Sequence, residues 1–290
     1  MWRDLVERLD VSARDGARLR AYVAGRDGPT LVLASGLGGP LSAWRYQIAH
    51  FARRYRVVSW DYRGLFGSEL AHHDDPVDVA VQASDLERVL DHLGADKAVV
   101  VGWSMGVQVA LEHYRRRPER TSHLVLINGT AGRPFDGLLL PGAGIFLPPL
   151  LERVQRFHGI GGRLLRRAAR TRAALDVVQR MGTWTTALPG DLLEELALEF
   201  AEIDLQVYFR TLRALGQHDA HPELGGIDVP ALVIAGARDV FTPKKQAERM
   251  ARAIGHAELV VIPGGTHYTA TEYPHLVNER IEAFLARHGS

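Results

Sequence analysis

The chain has 290 residues, 46% of them hydrophobic, enough to bury one large core with room for an insertion. Its 35 Lys and Arg balance 34 Asp and Glu to a formal net charge of +1, which excludes the one-sided field of a dedicated nucleic-acid binder. With no cysteine, a disulfide framework, a thiolate nucleophile and a cysteine-held metal are all excluded.

The opening stretch MWRDLVERLDVSARDG carries charges throughout and holds no continuous apolar run, so a cytoplasmic protein is expected. VSARDGARLRAYVAG (11–25) sets a DG turn between two short alternating runs and predicts an opening hairpin. TLVLAS (30–35), RVVSW (56–60), AVVVGW (98–103) and HLVLIN (123–128) then read as strands buried on both faces. Helical periods lie between them at 44–55, 77–94 and 105–117, the last closed by Pro118. Strand and helix in alternation predict an α/β fold with a mostly parallel central sheet flanked by helices.

After Asn128 the alternation stops; it resumes with PALVIAG (230–236), GHAELVVIPGG (255–265) and a helix over 274–287. Structureless connections beyond about 15 residues are rare in a compact domain, so 131–222 is expected to be a helical insertion between the sixth and seventh strands. The core would then comprise 1–130 and 223–290. Inside the insertion, Leu192, Leu193, Leu196, Phe200 and Ile203 share one helical face. Arg163, Arg166, Arg167 and Arg170 share another, either a solvated surface or one that meets an anionic lipid or charged substrate. LLLPGAGIFLPPLL (138–151) is too short and too broken by Pro141, Pro148 and Pro149 to span a bilayer, so no stable membrane insertion is expected.

The chemistry centres on GWSMG (102–106), where a valine strand turns at once into a helix. Such a corner crowds the backbone, and Gly102 and Gly106 relieve the crowding. It also exposes the Ser104 hydroxyl at a helix N-terminus, where developing negative charge is favoured. A serine nucleophile needs a general base and an acid to orient that base. His267, in IPGGTHYTATEYPH, follows the last apolar strand and lies at the same sheet edge; His256 and His275 are the alternatives. Asp239, in ALVIAGARDVFTP, follows the preceding strand, as the acid or as a turn or N-cap aspartate ahead of a helix starting at Pro243.

The elbow at 102–106, GARD at 236–239, GGTH at 264–267 and the inserted segment together resemble the α/β-hydrolase superfamily, in its capped serine esterase and lipase type. That resemblance implies the α/β-hydrolase fold, with Ser104, Asp239 and His267 as catalytic residues and a helical cap over them. It also implies an oxyanion hole from the backbone N–H groups of Leu37 and Met105, Leu37 lying in SGLGG (35–39), where Ser35 replaces the family's usual histidine. DYRGLFGS (61–68) resembles a turn of the same family, with Asp61, Arg63 and Gly64 as scaffold. Serine at 104 argues against the aspartate-based dehalogenases and epoxide hydrolases of the superfamily.

The implied reaction is acyl transfer through Ser104 on small to medium apolar esters, lactones or monoacylglycerols, with no metal or organic cofactor. Alternatives are the same three residues acting on a C–C bond, an amide or thioester, or using peroxide as acyl acceptor, and a hydrolase-like binding protein without turnover. Phe157, Trp184, Tyr208 and Phe209 either line an acyl pocket or pack the insertion onto the core.

Overall fold

A computed structural model describes residues 2–134 and 188–289. Eight strands form one sheet among them: β1 (Val6–Ser12), β2 (Arg18–Ala24), β3 (Thr30–Ala34), β4 (Arg56–Trp60), β5 (Ala98–Trp103), β6 (Thr121–Ile127), β7 (Ala231–Gly236) and β8 (Glu258–Ile262). Their spatial order is β1-β2-β4-β3-β5-β6-β7-β8. β1 and β2 are the expected hairpin, antiparallel to each other, and β2 is antiparallel to β4. Every other pairing is parallel.

Helices α1 (Arg45–Phe51), α2 (Val79–His92), α3 (Met105–Arg116), α6 (Lys244–Ile254) and α8 (Pro274–Arg287) make the two outer layers, with the single-turn α7 (Thr269–Glu272) leading into α8. Alternate residues of each strand supply them. Val32, Val58, Val100, Leu124 and Val233 pack toward α2, α3 and α6. Leu31, Leu33, Val99, Val101, Val125 and Ile234 pack toward α1 and α8. Burial on both faces is why these strands read as unbroken apolar runs. The sixth strand ends one residue earlier than HLVLIN suggests, because Asn128 turns left-handed at φ 46°.

Between β6 and β7 the described residues hold two α-helices, α4 (Gly190–Ala201) and α5 (Leu205–Leu215), and a short 3-10 helix (His221–Gly226). Leu192 and Leu196 of α4 are buried in the α1–α8 cluster, while Ile203 and Val207 join the α2–α3 one. The entering and leaving chains meet where Ala220 N–H donates to the Ala131 carbonyl at 2.8 Å. The 138–151 stretch, the Arg163–Arg170 face, Phe157 and Trp184 lie outside the described residues. Among those described, no helix is long and apolar enough to cross a membrane.

The DYRG turn is structural, as expected. The buried Arg63 guanidinium forks onto Asp85 of α2 at 2.8 and 2.6 Å and reaches Asp15 in the hairpin turn at 2.5 Å. One side chain thus ties the hairpin, the β4 exit and α2 together.

Candidate active site

The carboxyl ends of β3, β5, β6, β7 and β8 lie along one sheet edge, where open α/β folds place their ligands. At the end of β5 a single residue turns the chain from strand to helix. Ser104 takes that position at φ 55° and ψ −117°, a conformation sparsely populated by residues that carry a side chain. A Cβ on Gly102 would stand 2.2 Å from the Gly106 carbonyl oxygen, and one on Gly106 would stand 2.0 Å from that of Ala34. Only glycine fits either position. Serine at a helix N-cap ordinarily accepts from a first-turn N–H, but Ser104 makes no such bond; its Oγ lies 2.8 Å from His267 Nε2.

His267 arrives on the loop after β8. Gly236, at the end of β7, lets that loop close down, since a Cβ there would meet the Thr269 hydroxyl at 2.4 Å. Thr266 is gripped at both polar ends by the buried Glu272 carboxylate, which accepts from its N–H and its hydroxyl at 2.8 Å each. Trp103 Nε1–H donates to the His267 carbonyl at 2.8 Å. The residue preceding the serine thereby holds the backbone of the histidine.

Asp239 sits in the turn after β7 and accepts five hydrogen bonds. Oδ1 takes the N–H groups of Phe241 and Thr242 at 2.9 and 3.0 Å. Oδ2 takes Asn128 Nδ2 and Thr242 Oγ1 at 2.7 Å each, and His267 Nδ1 at 2.9 Å. Burial pushes this carboxyl up, but the neighbouring His267 and the donated bonds outweigh it and hold the group below the usual carboxylate range. An ionised carboxylate only accepts, so Nδ1 of His267 carries the proton and Nε2 is left to accept from the Ser104 hydroxyl. The Asp239 side chain is 0% exposed and that of His267 11%, so the acid is sealed while the base can be reached.

The structure thus brings Ser104, Asp239 and His267 into one hydrogen-bonded line. The alternatives stand elsewhere: His256 Nε2 lies 2.9 Å from the Val229 carbonyl, and His275 is exposed on α8. The 35–39 loop runs past the serine, since a Cβ on Gly36 would be 3.2 Å from Ser104 Cβ. Leu37 is the next residue of that loop, and Met105 follows Ser104 at the start of α3. Ser35 has its own support: Trp44 Nε1–H donates to its hydroxyl at 2.9 Å, and the Tyr62 hydroxyl to its carbonyl at 2.6 Å.

Aromatic rings surround His267. Trp103 and Tyr268 lie 5.8 and 6.2 Å from its ring, and Phe241, 44% exposed, presents an edge at 5.1 Å. From the insertion, Phe200 and Tyr208 cover the 35–39 loop, where a Cβ on Gly38 would meet their rings at 2.7 and 3.0 Å. Burial pushes the Tyr208 and Tyr268 phenols up to about 12, so both remain neutral donors near neutral pH.

Sequence reasoning missed Asn128, Thr242, Trp103, Phe241 and Glu272. Two of these had a signal. Trp103 lies inside the serine motif, and Asn128 ends a strand at the sheet edge as one of the few residue types at ease in a left-handed turn.

Residues 29–272 match the family model for the alpha/beta hydrolase fold. The chain is 28% identical over 283 residues to 3-oxoadipate enol-lactonase 2 of Acinetobacter baylyi, covering 96% of each protein. Among solved structures it is similar to the enol-lactonase of Burkholderia xenovorans LB400, with TM-score 0.76, 25% identity and coverage of 96% of this chain and 100% of that one. It also shares its fold with the esterase EaEST of Exiguobacterium antarcticum, with TM-score 0.80 at 20% identity over 97% of this chain and 100% of the other.

Proposed function

The chain belongs to the α/β-hydrolase fold family, and from that premise we propose that this hydrolase cleaves carboxylic esters, lactones among them, through an acyl-enzyme on Ser104. The observation that carries the reading is the Ser104 Oγ to His267 Nε2 contact of 2.8 Å, continued from Nδ1 to Asp239 at 2.9 Å. His267 takes the hydroxyl proton as Ser104 attacks the carbonyl carbon. Asp239 stabilises the imidazolium, and the N–H groups of Leu37 and Met105 hold the oxyanion. His267 returns the proton to the leaving alcohol, and water releases the acyl group by the same route. The 131–222 insertion acts as a cap that sets the substrate. The aromatic ring of Trp103, Phe241 and Tyr268 around the base favours an apolar ester, and two of the similar proteins are enol-lactonases, whose substrates are cyclic esters.

The test sets wild type beside Ser104→Ala with p-nitrophenyl esters of rising acyl length, a lactone series and an organophosphonate probe read by intact mass. Turnover and a single label in wild type, both absent in the alanine variant, are expected. A folded wild type that neither turns over nor takes the label overturns the reading.

A further inference from the structure

We infer that Asn128 is a positioning residue of this site: its side-chain amide fixes the Asp239 carboxylate and the backbone of the His267 loop in a single arrangement. The inference rests on the proposed roles of Asp239 and His267.

Asn128 is 1% exposed and stands at the end of β6 with φ 46°, its own N–H donating to the Ile234 carbonyl at 2.9 Å. Its Nδ2 donates twice, to Asp239 Oδ2 at 2.7 Å and to the Thr266 carbonyl at 2.9 Å. A carboxylate and a carbonyl can only accept, so the amide has one orientation. That orientation leaves Oδ1 buried with no partner among the described residues. A buried acceptor without a partner disfavours folding, so packing does not explain an amide here. Backbone geometry does not explain it either, because glycine adopts this φ with less strain. What asparagine adds over glycine is the pair of N–H donors.

Those donors act on the two moving parts of the proposed chemistry. Oδ2 is the oxygen that receives His267 Nδ1, so whatever fixes Oδ2 fixes the tilt of the imidazole toward Ser104. The second donor holds the carbonyl of the residue immediately before His267. Thr242 assists at Oδ2 and Thr269 Oγ1 at the Thr266 carbonyl, at 2.7 and 2.5 Å, but each serves only one of the two loops. Asn128 alone among these donors bridges both. Because the imidazolium exists only during the reaction, loss of the bridge acts on the chemical step rather than on substrate binding.

The experiment compares wild type, Asn128→Gly and Asn128→Asp. Glycine keeps the backbone and removes the donors; aspartate keeps the shape and sets an acceptor against an acceptor. Three quantities are read: kcat and KM separately on a p-nitrophenyl ester, the unfolding midpoint, and the downfield proton resonance of His267 Nδ1–H, identified by its loss in His267→Ala. We expect kcat to fall on the order of 10²-fold with KM nearly unchanged, as for a displaced reacting group, and the resonance to shift in both variants. A glycine variant with wild-type kcat and an unmoved resonance overturns the inference, leaving Asn128 a backbone role only. If Asn128→Gly does not fold, the aspartate variant decides by the same two readouts. If wild type neither turns over esters nor labels at Ser104, the ester-hydrolase reading falls, and the resonance alone still decides whether Asn128 positions the pair.

Discussion

A glycine at position 106 and one at position 190 cost very different amounts to replace, and the difference measures how tightly the elbow is built. A Cβ on Gly106 would lie 2.0 Å from a backbone oxygen of β3, which cannot yield without moving the sheet, whereas one on Gly190 at the start of α4 would meet nothing within 4 Å among the described residues. Gly106→Ala is expected to lose about 3 kcal/mol in denaturant unfolding, as for an overpacked core. Gly190→Ala should be neutral or slightly stabilising, by less than about 1 kcal/mol. Equal effects would mean that the elbow is looser than the structure shows. The acid is held with similar strictness, since Asp239 accepts donors on both oxygens. Asp239→Asn retains the shape but turns an N–H toward His267 Nδ1 or displaces the Asn128 amide. It favours the tautomer that cannot accept the serine proton. A fall in kcat of about 10⁴-fold with a preserved fold is expected, and a loss under tenfold would show that Asp239 does not orient the base.

Helix α4 is joined to the rest of the molecule by two kinds of contact, and their magnitudes decide which one holds it. Asp191, Glu195 and Glu199 repeat at i, i+4 and i+8 and meet Arg3 and Arg45, Arg45 reaching Glu195 at 3.3 Å and Asp191 at 3.5 Å. Arg3 is half exposed and Asp191 more so, which leaves each such pair about 0–1 kcal/mol, screened by salt. On the apolar side Leu192 is 0% exposed, and truncating such a leucine costs about 2–5 kcal/mol. Hydrophobic packing therefore dominates. Leu192→Ala should collapse hydrogen-exchange protection across 190–201 while β5 and β6 keep theirs, and molar salt should leave that protection nearly intact. The reverse pattern would make the ionic stripe the anchor. Because Phe200 of α4 covers Gly38 beside the serine, the same variant should raise KM for long acyl esters. Elements such as β3 and β5 were legible in the sequence because burial on both faces leaves an unbroken apolar run, and α2 and α3 because their apolar positions recur at helical spacing. Ser104 and Asp239 were legible because each follows such a strand at its carboxyl end, and His267 because it follows the short apolar run of the half-exposed β8. Asn128 was not, since HLVLIN continues the apolar pattern to its last residue. Nothing local says that the amide turns out of the strand to meet residues 111 and 138 positions away.

Two buried groups with large and opposing shifts contribute to the pH dependence of the whole fold. His113 of α3 is 0% exposed, and neither ring nitrogen has a partner among the described residues. Burial pushes it down to about 4, helped by Arg120 and Arg117 and opposed by Glu87. Its folded pKa is below the unfolded value of about 6.5, so the stability it contributes is complete above 6.5 and is lost as pH falls through 4. Asp61, 5% exposed at the end of β4, is pushed up to about 6 by burial, although the Tyr22 hydroxyl and the Gly67 N–H both donate to it. Its folded pKa is above the unfolded one, so its contribution is complete below about 4 and is lost as pH rises through 6. Each shift is worth on the order of 3 kcal/mol, and between about pH 4 and 6.5 the two nearly cancel. Single variants separate them. His113→Leu gives up no hydrogen bond and removes the acid-side loss, so its stability should rise as pH falls across this window. Asp61→Asn keeps an oxygen for Tyr22 and Gly67 and removes the neutral-side loss, so its stability should fall over the same range. Denaturant midpoints at about pH 4, 5 and 7 read the slopes directly. Slopes of opposite sign in the two variants, bracketing a flatter wild type, are the expected result. Parallel slopes would mean that neither group titrates inside the fold.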